Sequence, residues 1–161
     1  MPDRAAEPGS VVVIEAGDQD LDAIAVLHQS LFSPPWTRDD FAALMGQTGS
    51  VALLAVVPDD GRPVGLLLGR VISDEAELLT VGGARDWRRR GAAACLVRAF
   101  ADRVAERGAV RIFLEVAEDN DAARHLYAAQ GFREVGRRPG YYERPSARST
   151  DALIMAKTMD R

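Results

Sequence analysis

Apolar residues recur along the N-terminal third of the chain in patterns that predict one strand and two helices. Residues 11–14 form a continuous apolar run typical of a buried strand, and residues 18–32 carry apolar side chains every three or four positions, which indicates a helix. The Ser-Pro-Pro-Trp segment at 33–36 ends that helix, because proline lacks an amide donor and disfavours helix in the residue before it. Residues 37–46 open with Thr and Asp at capping-box spacing, which predicts a second, short helix.

The middle of the chain predicts three consecutive strands that form a meander. Two apolar runs, residues 51–57 and 64–72, flank a turn rich in proline, aspartate and glycine, and a third strand covers residues 77–83. Gly82 and Gly83 end this third strand. We therefore expect a β-bulge or a close backbone approach at the glycine pair.

Helices and strands alternate in the second half of the chain. Helical periodicity predicts two helices, over residues 90–107 and 119–130, with a strand between them at 110–116. A further strand begins at 132–135, and a closing strand covers 152–156. The order predicts an α/β fold of mixed α+β type, with a mixed sheet and helices on both faces. A chain of 161 residues fits one domain, so we expect a flexible lead over residues 1–10 and a single folded domain over 11–161.

The composition is that of an ordinary globular protein. Apolar residues make up 47% and charged residues 27%, which excludes disordered and fibrous classes. The apolar runs at 51–57 and 64–68 are far shorter than the roughly 20 residues that span a bilayer, and residues 1–8 lack the apolar region of a secretory signal. A lone cysteine, Cys95, fits a reducing compartment. We expect a cytoplasmic protein that does not bind membranes.

Charge is distributed unevenly along the chain. The net charge is −4, yet residues 85–148 contain 14 Arg against nine Asp and Glu, about +5, which leaves about −9 elsewhere. This imbalance predicts a polyanionic ligand on the basic side. Since 19 of the 20 basic residues are Arg, part of the excess is a compositional bias. The acidic total and the lack of a recognition motif argue against direct binding of nucleic acid.

The segment before the third helix has the features of an anion site. Residues 88–93 read Arg-Arg-Arg-Gly-Ala-Ala at the point where that helix is expected to begin. A helix N-terminus offers unpaired amide groups and about half a positive charge to a phosphate. Gly91 and the alanines let an anion approach the backbone. A surface loop with extra arginines explains the segment equally well, and the glycine spacing matches neither a dinucleotide fingerprint nor a Walker loop.

Glu115 and Tyr127 are the candidate acid–base residues. Strand 110–116 places Phe113 and Glu115 on one face, and we expect partial burial to strengthen the Glu115 carboxylate as a base near neutral pH. Tyr127 lies on the next helix, where its hydroxyl can give a proton to a leaving group. Taken singly, a rim glutamate and a core-flanking tyrosine are the simpler interpretations.

Together these segments resemble the GNAT superfamily of acetyl-CoA-dependent N-acetyltransferases. The resemblance rests on Arg88-x-x-Gly91-x-Ala93, Leu114-Glu115-Val116, Asn120, and Leu126-Tyr127 before Gly131-Phe132. Within the superfamily the chain is most similar to the RimI family, which acetylates the N-terminal alanine of a small-subunit ribosomal protein. This finer similarity rests on Pro35-Trp36, Asp74-Glu75-Ala76, and Tyr141-Tyr142 followed by residues 151–155. It covers about residues 11–158.

The resemblance implies a mostly antiparallel sheet whose central parallel strands splay apart, and a role for each matching residue. It assigns binding of the cosubstrate acetyl-CoA to Val81, Gly82, Gly83, Arg88, Arg89, Arg90, Gly91, Ala92, Ala93, Ala94 and Asn120. Glu115 matches the general base that deprotonates the attacking amine, and Tyr127 the general acid that protonates the departing thiolate. The transfer is direct, without an acyl-enzyme, and needs no metal. Trp36, Tyr141 and Tyr142 are the implied acceptor-binding residues.

The sequence departs from the family pattern at the end of the third meander strand. Gly82 and Gly83 replace the more usual apolar pair, which would loosen the backbone there or widen the acyl pocket. Glu77, on the same strand, is a second candidate for the base. We expect Cys95 to be a small buried residue, and the two histidines, His28 and His125, to be surface or helix-flank residues without metal partners.

Three functional interpretations remain open at the level of sequence. The first is N-terminal acetylation of a protein, with a small-subunit ribosomal protein as the partner. The second is a GNAT enzyme that acetylates a small-molecule amine, since the acceptor groove lies in variable loops. The third is a CoA-binding module without catalysis, against which the presence of both Glu115 and Tyr127 argues.

Overall fold

The computed structural model describes residues 10–144 and 147–159, without the side chains of residues 88–90 and 141–149. Of the predicted flexible lead only Ser10 is described, so the prediction for residues 1–9 lies outside the described residues.

Strands and helices follow one another in the predicted order. The strands are β1 (Val12–Glu15), β2 (Ser50–Val56), β3 (Pro63–Ile72), β4 (Glu75–Gly83), β5 (Arg111–Ala117), β6 (Arg133–Arg144) and β7 (Ala147–Thr158). The helices are α1 (Leu21–Leu31), α2 (Arg38–Met45), α3 (Ala92–Glu106) and α4 (Asp121–Ala129), with 3-10 segments at Asp18–Asp20 and Arg85–Arg90. Within the described ranges, no helix combines the length and the apolar character needed to cross a membrane.

Three helices, α1, α3 and α4, begin later than the sequence pattern predicts. Residues 18–20 form a 3-10 turn, which Asp20 closes by accepting a hydrogen bond from the Gly17 amide at 2.8 Å. Residues 85–90 form a second 3-10 segment where we expected a loop and the first helical residue. Gly91 separates that segment from α3, because its φ of +76° lies in the left-handed region that a helix cannot continue through.

The described strands form one mixed sheet in the order β1-β2-β3-β4-β5-β7-β6. Neighbouring strands are antiparallel except β4 and β5, which pair in parallel only where Glu75–Glu77 face residues 111–113. Beyond these three residues the two strands separate, while β4 remains paired with β3 and β5 with β7. A mostly antiparallel sheet with splayed central strands is therefore confirmed.

A β-bulge lies in the middle of β4, not at its end. Leu68 pairs with Thr80 and Gly69 with Leu78, so Leu79 is the extra residue. The bulge expected at Gly82 and Gly83 is wrong, because both residues stay in register with β3. A close approach is found at Gly82, where an added Cβ would lie 3.0 Å from Leu31 Cδ1, whereas a Cβ on Gly83 would make only an ordinary contact at 3.6 Å with the Ala92 Cβ.

Helices cover both faces of the sheet, as the pattern predicted. Along β2, the residues at 51, 53 and 55 belong to one apolar cluster and those at 52, 54 and 56 to the other, as the period of a strand requires. Leu96, Phe100 and Val104 of α3 pack in the first cluster. Leu21 and Ile24 of α1 and Phe41 of α2 pack in the second. The splayed ends of β4 and β5 therefore lie between two helical layers.

Gly69 allows α3 to pack closely on the sheet opposite the bulge. A Cβ on Gly69 would collide with the fully buried ring of Phe100 and lie 2.7 Å from the Glu77 carbonyl oxygen. Because Gly69 has no positive φ, the requirement for glycine is one of space rather than of backbone conformation.

We expect Gly69→Ala to lower the free energy of unfolding by about 2 kcal/mol, since neither the Phe100 ring nor the strand backbone can move away without strain. Denaturant unfolding measures the change. The matched control is Gly136→Ala on β6, where the added methyl would meet Ile154 Cδ1 at 3.4 Å and the expected change is below about 1 kcal/mol. Equal stability of the two variants would contradict this account of the α3 contact.

Candidate active site

The gap between β4 and β5 opens into a cavity beside the N-terminus of α3. This cavity, here called the α3 cavity, has a volume of about 470 Å³. Its walls are the end of β4, the start of α3, the end of α1 and the first turns of α4. The lining residues are Leu31, Phe32, Val81, Gly82, Gly83, Gly91, Ala93, Ala94, Asn120, Ala122, Ala123 and Leu126. No ionisable side chain belongs to this described lining.

A second cavity adjoins the first and holds both candidate acid–base residues. This cavity, here called the Glu115 cavity, has a volume of about 390 Å³, and its lining includes Glu115 and Tyr127. Phe32, Val81, Asn120 and Ala123 line both cavities, so the two spaces meet at these residues. A long substrate lying in the α3 cavity can therefore place its end at Glu115.

The start of α3 has the geometry expected of an anion-binding helix N-terminus. Gly91 caps the helix with positive φ, no side chain caps the N-terminal amides, and no acidic residue lies in the first turn. Gly91, Ala93 and Ala94 line the α3 cavity, whereas Ala92 is fully buried beneath it. The backbone of residues 88–90 belongs to the preceding 3-10 segment, and their side chains are outside the description.

The end of α1 fills the space above Gly82. A Cβ on Gly82 would lie 3.0 Å from Leu31 Cδ1 and 3.2 Å from Phe32 Cε2. The glycine therefore lets α1 approach β4 more closely, and these side chains occupy the volume that a bulkier residue would take.

Glu115 lies on β5 and lines the Glu115 cavity. The residue as a whole is exposed, but its side chain is 33% exposed and therefore partly buried, as expected. Its Oε1 accepts a hydrogen bond from Arg138 Nη1 of β6 at 2.9 Å. The ion pair keeps the carboxylate in place at the cavity and balances its charge.

Tyr127 and Asn120 reach the cavities from α4. Tyr127 is 7% exposed and its ring packs edge-on against Phe132 with centroids 5.7 Å apart, so its position is fixed by the core. Asn120 is the N-cap of α4: its side-chain carbonyl accepts the Ala123 amide at 3.1 Å. One half of the Asn120 amide thus has a structural partner within the helix, while the residue still lines both cavities.

Trp36 lines the Glu115 cavity and is also part of the core. It packs against Phe41 with ring centroids 5.5 Å apart and contributes to the apolar cluster under α1 and α2. Its predicted role in acceptor binding stays a prediction. Tyr141 and Tyr142 lie on β6, and their side chains fall outside the description.

His28 was expected at the surface, and this expectation is wrong. The residue is 2% exposed and lines the Glu115 cavity from the last turn of α1. Its ring stacks between Phe32 and Trp36, with centroid distances of 4.3 Å and 5.3 Å. Burial lowers the pKa of His28 below its ordinary value of 6.5. The error has a simple cause, because His28 continues the buried stripe of Leu21 and Ile24 at helical spacing.

An ion-pair network fixes the β6–β7 hairpin beside Glu115. Arg137 Nη1 lies 2.8 Å from Asp151 Oδ2 and 2.9 Å from Glu118 Oε1. The Arg137 guanidinium, and then the Gly140 amide, hold the pKa of the Asp151 carboxyl below its ordinary range. Asp151 therefore accepts from both the side chain and the backbone of β6, which holds the strand that carries Arg138.

Three residues considered in the sequence lie away from the two cavities. Glu77 pairs with Arg70 at 3.1 Å on the part of β4 that is still paired with β5. Cys95 is a partly buried free cysteine on α3 and lines neither cavity. His125 is exposed on α4, as expected for a helix-flank residue.

Two contributors to the site were missed in the sequence, Phe32 and Thr80. Phe32 was taken as the end of a helix, and Thr80 as one residue of a strand. The bulge at Leu79 directs Thr80 toward α1, where it meets His28, and no sequence pattern marks that bulge. Among the described residues, no group of three or more His, Cys, Asp or Glu is placed to bind a metal ion.

The two cavities meet close to Glu115 and Tyr127, and sequence comparison identifies the class of protein. The sequence model of the acetyltransferase (GNAT) family matches residues 21–132, and the chain belongs to this family. It is an acetyl-CoA-dependent N-acetyltransferase.

Its relatives point to one branch of the family. The [Ribosomal protein bS18]-alanine N-acetyltransferase of Salmonella typhimurium is 34% identical over 138 residues, which is 85% of this chain and 90% of that protein. The crystal structure of the ribosomal-protein-S18-alanine N-acetyltransferase from Escherichia coli superposes with a TM-score of 0.85 at 28% identity, covering 94% of this chain and 95% of that one. Within the GNAT family, the chain is thus most similar to the RimI branch.

The fold also matches a family structure that contains the cosubstrate. Arabidopsis thaliana NAA60 in complex with acetyl-CoA superposes with a TM-score of 0.79 at 19% identity, covering 93% of this chain and 99% of that one. At this identity the match concerns the fold alone.

The lowered pKa of His28 makes the stability of the fold depend on pH. The unfolded chain takes up a proton on His28 near pH 6.5, whereas the folded chain resists it until a lower pH. Stability is therefore lost as the pH falls below about 6.5, with a slope of at most about 1.4 kcal/mol per pH unit. We expect His28→Asn to remove this part of the slope in denaturant unfolding between roughly pH 7.5 and pH 5.

His125→Gln is the control, because it removes the other histidine of the chain at an exposed position. We expect its slope to match that of the wild type. A wild-type slope that persists in His28→Asn would show that other groups cause the pH dependence.

Proposed function

We propose that the chain transfers the acetyl group of acetyl-CoA to the N-terminal α-amine of a protein, the N-terminal alanine of ribosomal protein bS18. One structural observation carries the transfer: the α3 cavity joins the Glu115 cavity, where Glu115 and Tyr127 both line the wall. The choice of acceptor is supported by the bS18-alanine N-acetyltransferases of Salmonella typhimurium and Escherichia coli, at 34% and 31% identity over 85% of this chain.

Acetyl-CoA fits the α3 cavity by shape and by chemistry. The apolar and glycine-lined walls accept an extended chain, and the open N-terminus of α3 offers amides to a pyrophosphate. We assign the pyrophosphate to the backbone amides of residues 89–94. The pantetheine arm and the acetyl carbonyl are assigned to the backbone of Val81, Gly82 and Gly83, and Asn120 also binds the pantetheine arm. The facing edges of β4 and β5 supply the free backbone groups for this binding.

The two catalytic roles follow from position and chemistry. Glu115 removes a proton from the attacking amine, because its carboxylate lies at the edge of the cavity that receives the acceptor. Tyr127, held by the core where α4 borders both cavities, donates a proton to the departing thiolate. Glu115 acts on the attacking amine and Tyr127 on the departing thiolate of one displacement reaction. In this assignment the transfer is direct and no acyl-enzyme forms.

The charge of the Glu115 cavity favours a protein N-terminus over a small polycation. Among the described lining residues Glu115 is the one acid, and Arg138 pairs with it, so there is no acidic pocket for several ammonium groups. Aromatic and proline side chains of Phe32, Pro34 and Trp36 form another part of the cavity wall, which suits a peptide that lies across it.

We also assign residues 11–161 to a single acetyltransferase domain, with the cytoplasm as its location, because the proposed acceptor is a ribosomal protein. The basic half of the chain serves the phosphates of acetyl-CoA in this assignment. Neither nucleic acid nor a membrane is required as a partner.

Substitution of the acid–base residues tests the mechanism. We expect Glu115→Gln and Tyr127→Phe each to lower kcat by about 100-fold or more, because each variant loses a proton transfer while keeping its shape. Steady-state thiol release measures kcat, and calorimetry checks that CoA still binds. Glu77→Gln is the matched control, since Glu77 lies outside both cavities and should leave kcat unchanged. A large loss in Glu77→Gln with an active Glu115→Gln would move the base to Glu77.

A panel of acceptors tests the acceptor assignment. The panel contains a peptide with the N-terminal sequence of bS18, a lysine peptide with a blocked N-terminus, and a set of small amines. We expect thiol release from acetyl-CoA with the first peptide alone. Preference for a small amine would keep the family and reject the acceptor, whereas tight CoA binding without release would indicate a module without catalysis.

A further inference from the structure

His28 connects three separate elements at the back of the Glu115 cavity. It lies on the last turn of α1, its Nδ1 accepts a hydrogen bond from the Trp36 amide at 3.1 Å, and its Nε2 lies 3.4 Å from Thr80 Oγ1 of β4. Phe32 and Trp36 stack on its two faces, and Phe41 of α2 packs edge-on at 5.1 Å. A single imidazole thus links α1, the α1–α2 connection and β4 beyond its bulge.

The hydrogen-bond partners determine which nitrogen of His28 carries the proton. The Trp36 amide can only donate, so Nδ1 must present its lone pair and cannot be protonated. The proton of the neutral ring then lies on Nε2, directed at the Thr80 hydroxyl oxygen, which can accept it. His28 is therefore a neutral imidazole that accepts on one side and donates on the other.

The segment that His28 holds has few other hydrogen bonds to the fold. Residues 33–36 contain two prolines, which have no amide to donate. In the part of the chain that the structure describes, the bond from the Trp36 amide to His28 is the hydrogen bond that ties this segment to the fold. Phe32, Pro34 and Trp36 line the cavity that also holds Glu115, and the position of this part of its wall depends on His28.

We propose that His28 is a positioning residue that sets the acceptor-binding wall of the Glu115 cavity, through Trp36, relative to the acetyl-carrying end of β4, through Thr80. This inference rests on the proposed function, since it assigns the wall to the acceptor. Histidine suits the position because it combines an acceptor, a donor and a flat ring that stacks on both faces. Phenylalanine keeps the stacking and leaves the Trp36 amide unpaired, whereas asparagine keeps an acceptor at the place of Nδ1.

Kinetics separate this role from a general effect on the fold. We expect His28→Phe to raise the KM for the acceptor about tenfold, the order of effect of one lost buried hydrogen bond, while the KM for acetyl-CoA changes less than about twofold. His28→Asn should recover most of the acceptor KM, because its carbonyl oxygen accepts the Trp36 amide. The control is Val26→Ala on the exposed face of the same helix, where Val26 is 68% exposed, and both KM values should stay unchanged.

Two results would overturn the inference. If the KM for acetyl-CoA rose together with that for the acceptor in His28→Phe, the residue would serve the fold as a whole. If neither KM changed, the wall would not need His28. Should the wild type prefer a small amine to the bS18 peptide, the same comparison is made with that amine, so failure of the acceptor assignment is distinguishable from failure of the His28 role.

The protonation of the ring provides a test that needs no acceptor. Nitrogen-15 NMR of the wild type should show His28 with an unprotonated Nδ1 and a protonated Nε2 at neutral pH, and His125→Gln simplifies the assignment because the chain contains two histidines. A protonated Nδ1 would exclude the bond from Trp36 and overturn the inference.

Discussion

The separation of β4 from β5 after three paired residues determines the rest of the structure. Each strand keeps its outer partner, β3 or β7, so the sheet stays intact while the facing edges lose theirs. Backbone amides and carbonyls inside a protein need hydrogen-bond partners. A substrate with its own amides, as pantetheine has, can supply such partners, and a continuous sheet would leave no room for it.

Several features of the sequence keep that gap open and aligned. The extra residue Leu79 changes the face to which β4 directs its side chains, so that Leu78 belongs to the α3 side and Thr80 contacts α1. Gly69 accommodates Phe100 opposite the bulge, and Gly82 accommodates Leu31 and Phe32 beyond it. Glycines therefore occur where a helix approaches the sheet closely. The polar residue Thr80 occurs where β4 contacts α1 at the cavity wall.

The order of elements and the helix–strand alternation could be predicted from the sequence, because they depend on local periodicity and on glycine and proline. The position of the bulge could not, since Leu79 differs from its neighbours only in its pairing with β3. The partial burial of the Glu115 side chain could be predicted from its strand, but its ion-pair partner could not, because Arg138 lies on β6, 23 residues away. The predicted surface position of His28 was wrong because the prediction followed the polarity of the side chain. Its spacing on α1 places it in the core. Among the described residues, those that belong to sequence motifs lie at the two cavities. The residues that act through long-range contacts could not be identified, because no local sequence pattern marks them.

Several arginines of the basic half lie on an edge strand of the sheet, where charge has a second role. The sheet ends at β1, with four residues, and at β6, with twelve. A long free edge invites another chain to add a strand, and charge, proline and irregular register are the means by which natural sheets prevent it. β6 carries Arg133, Arg137, Arg138, Arg144 and Pro139, and its pairing with β7 shifts register in three places. The arginines, the proline and the irregular register of β6 are thus features that disfavour addition of another strand at this edge, and one of the arginines, Arg138, also pairs with Glu115.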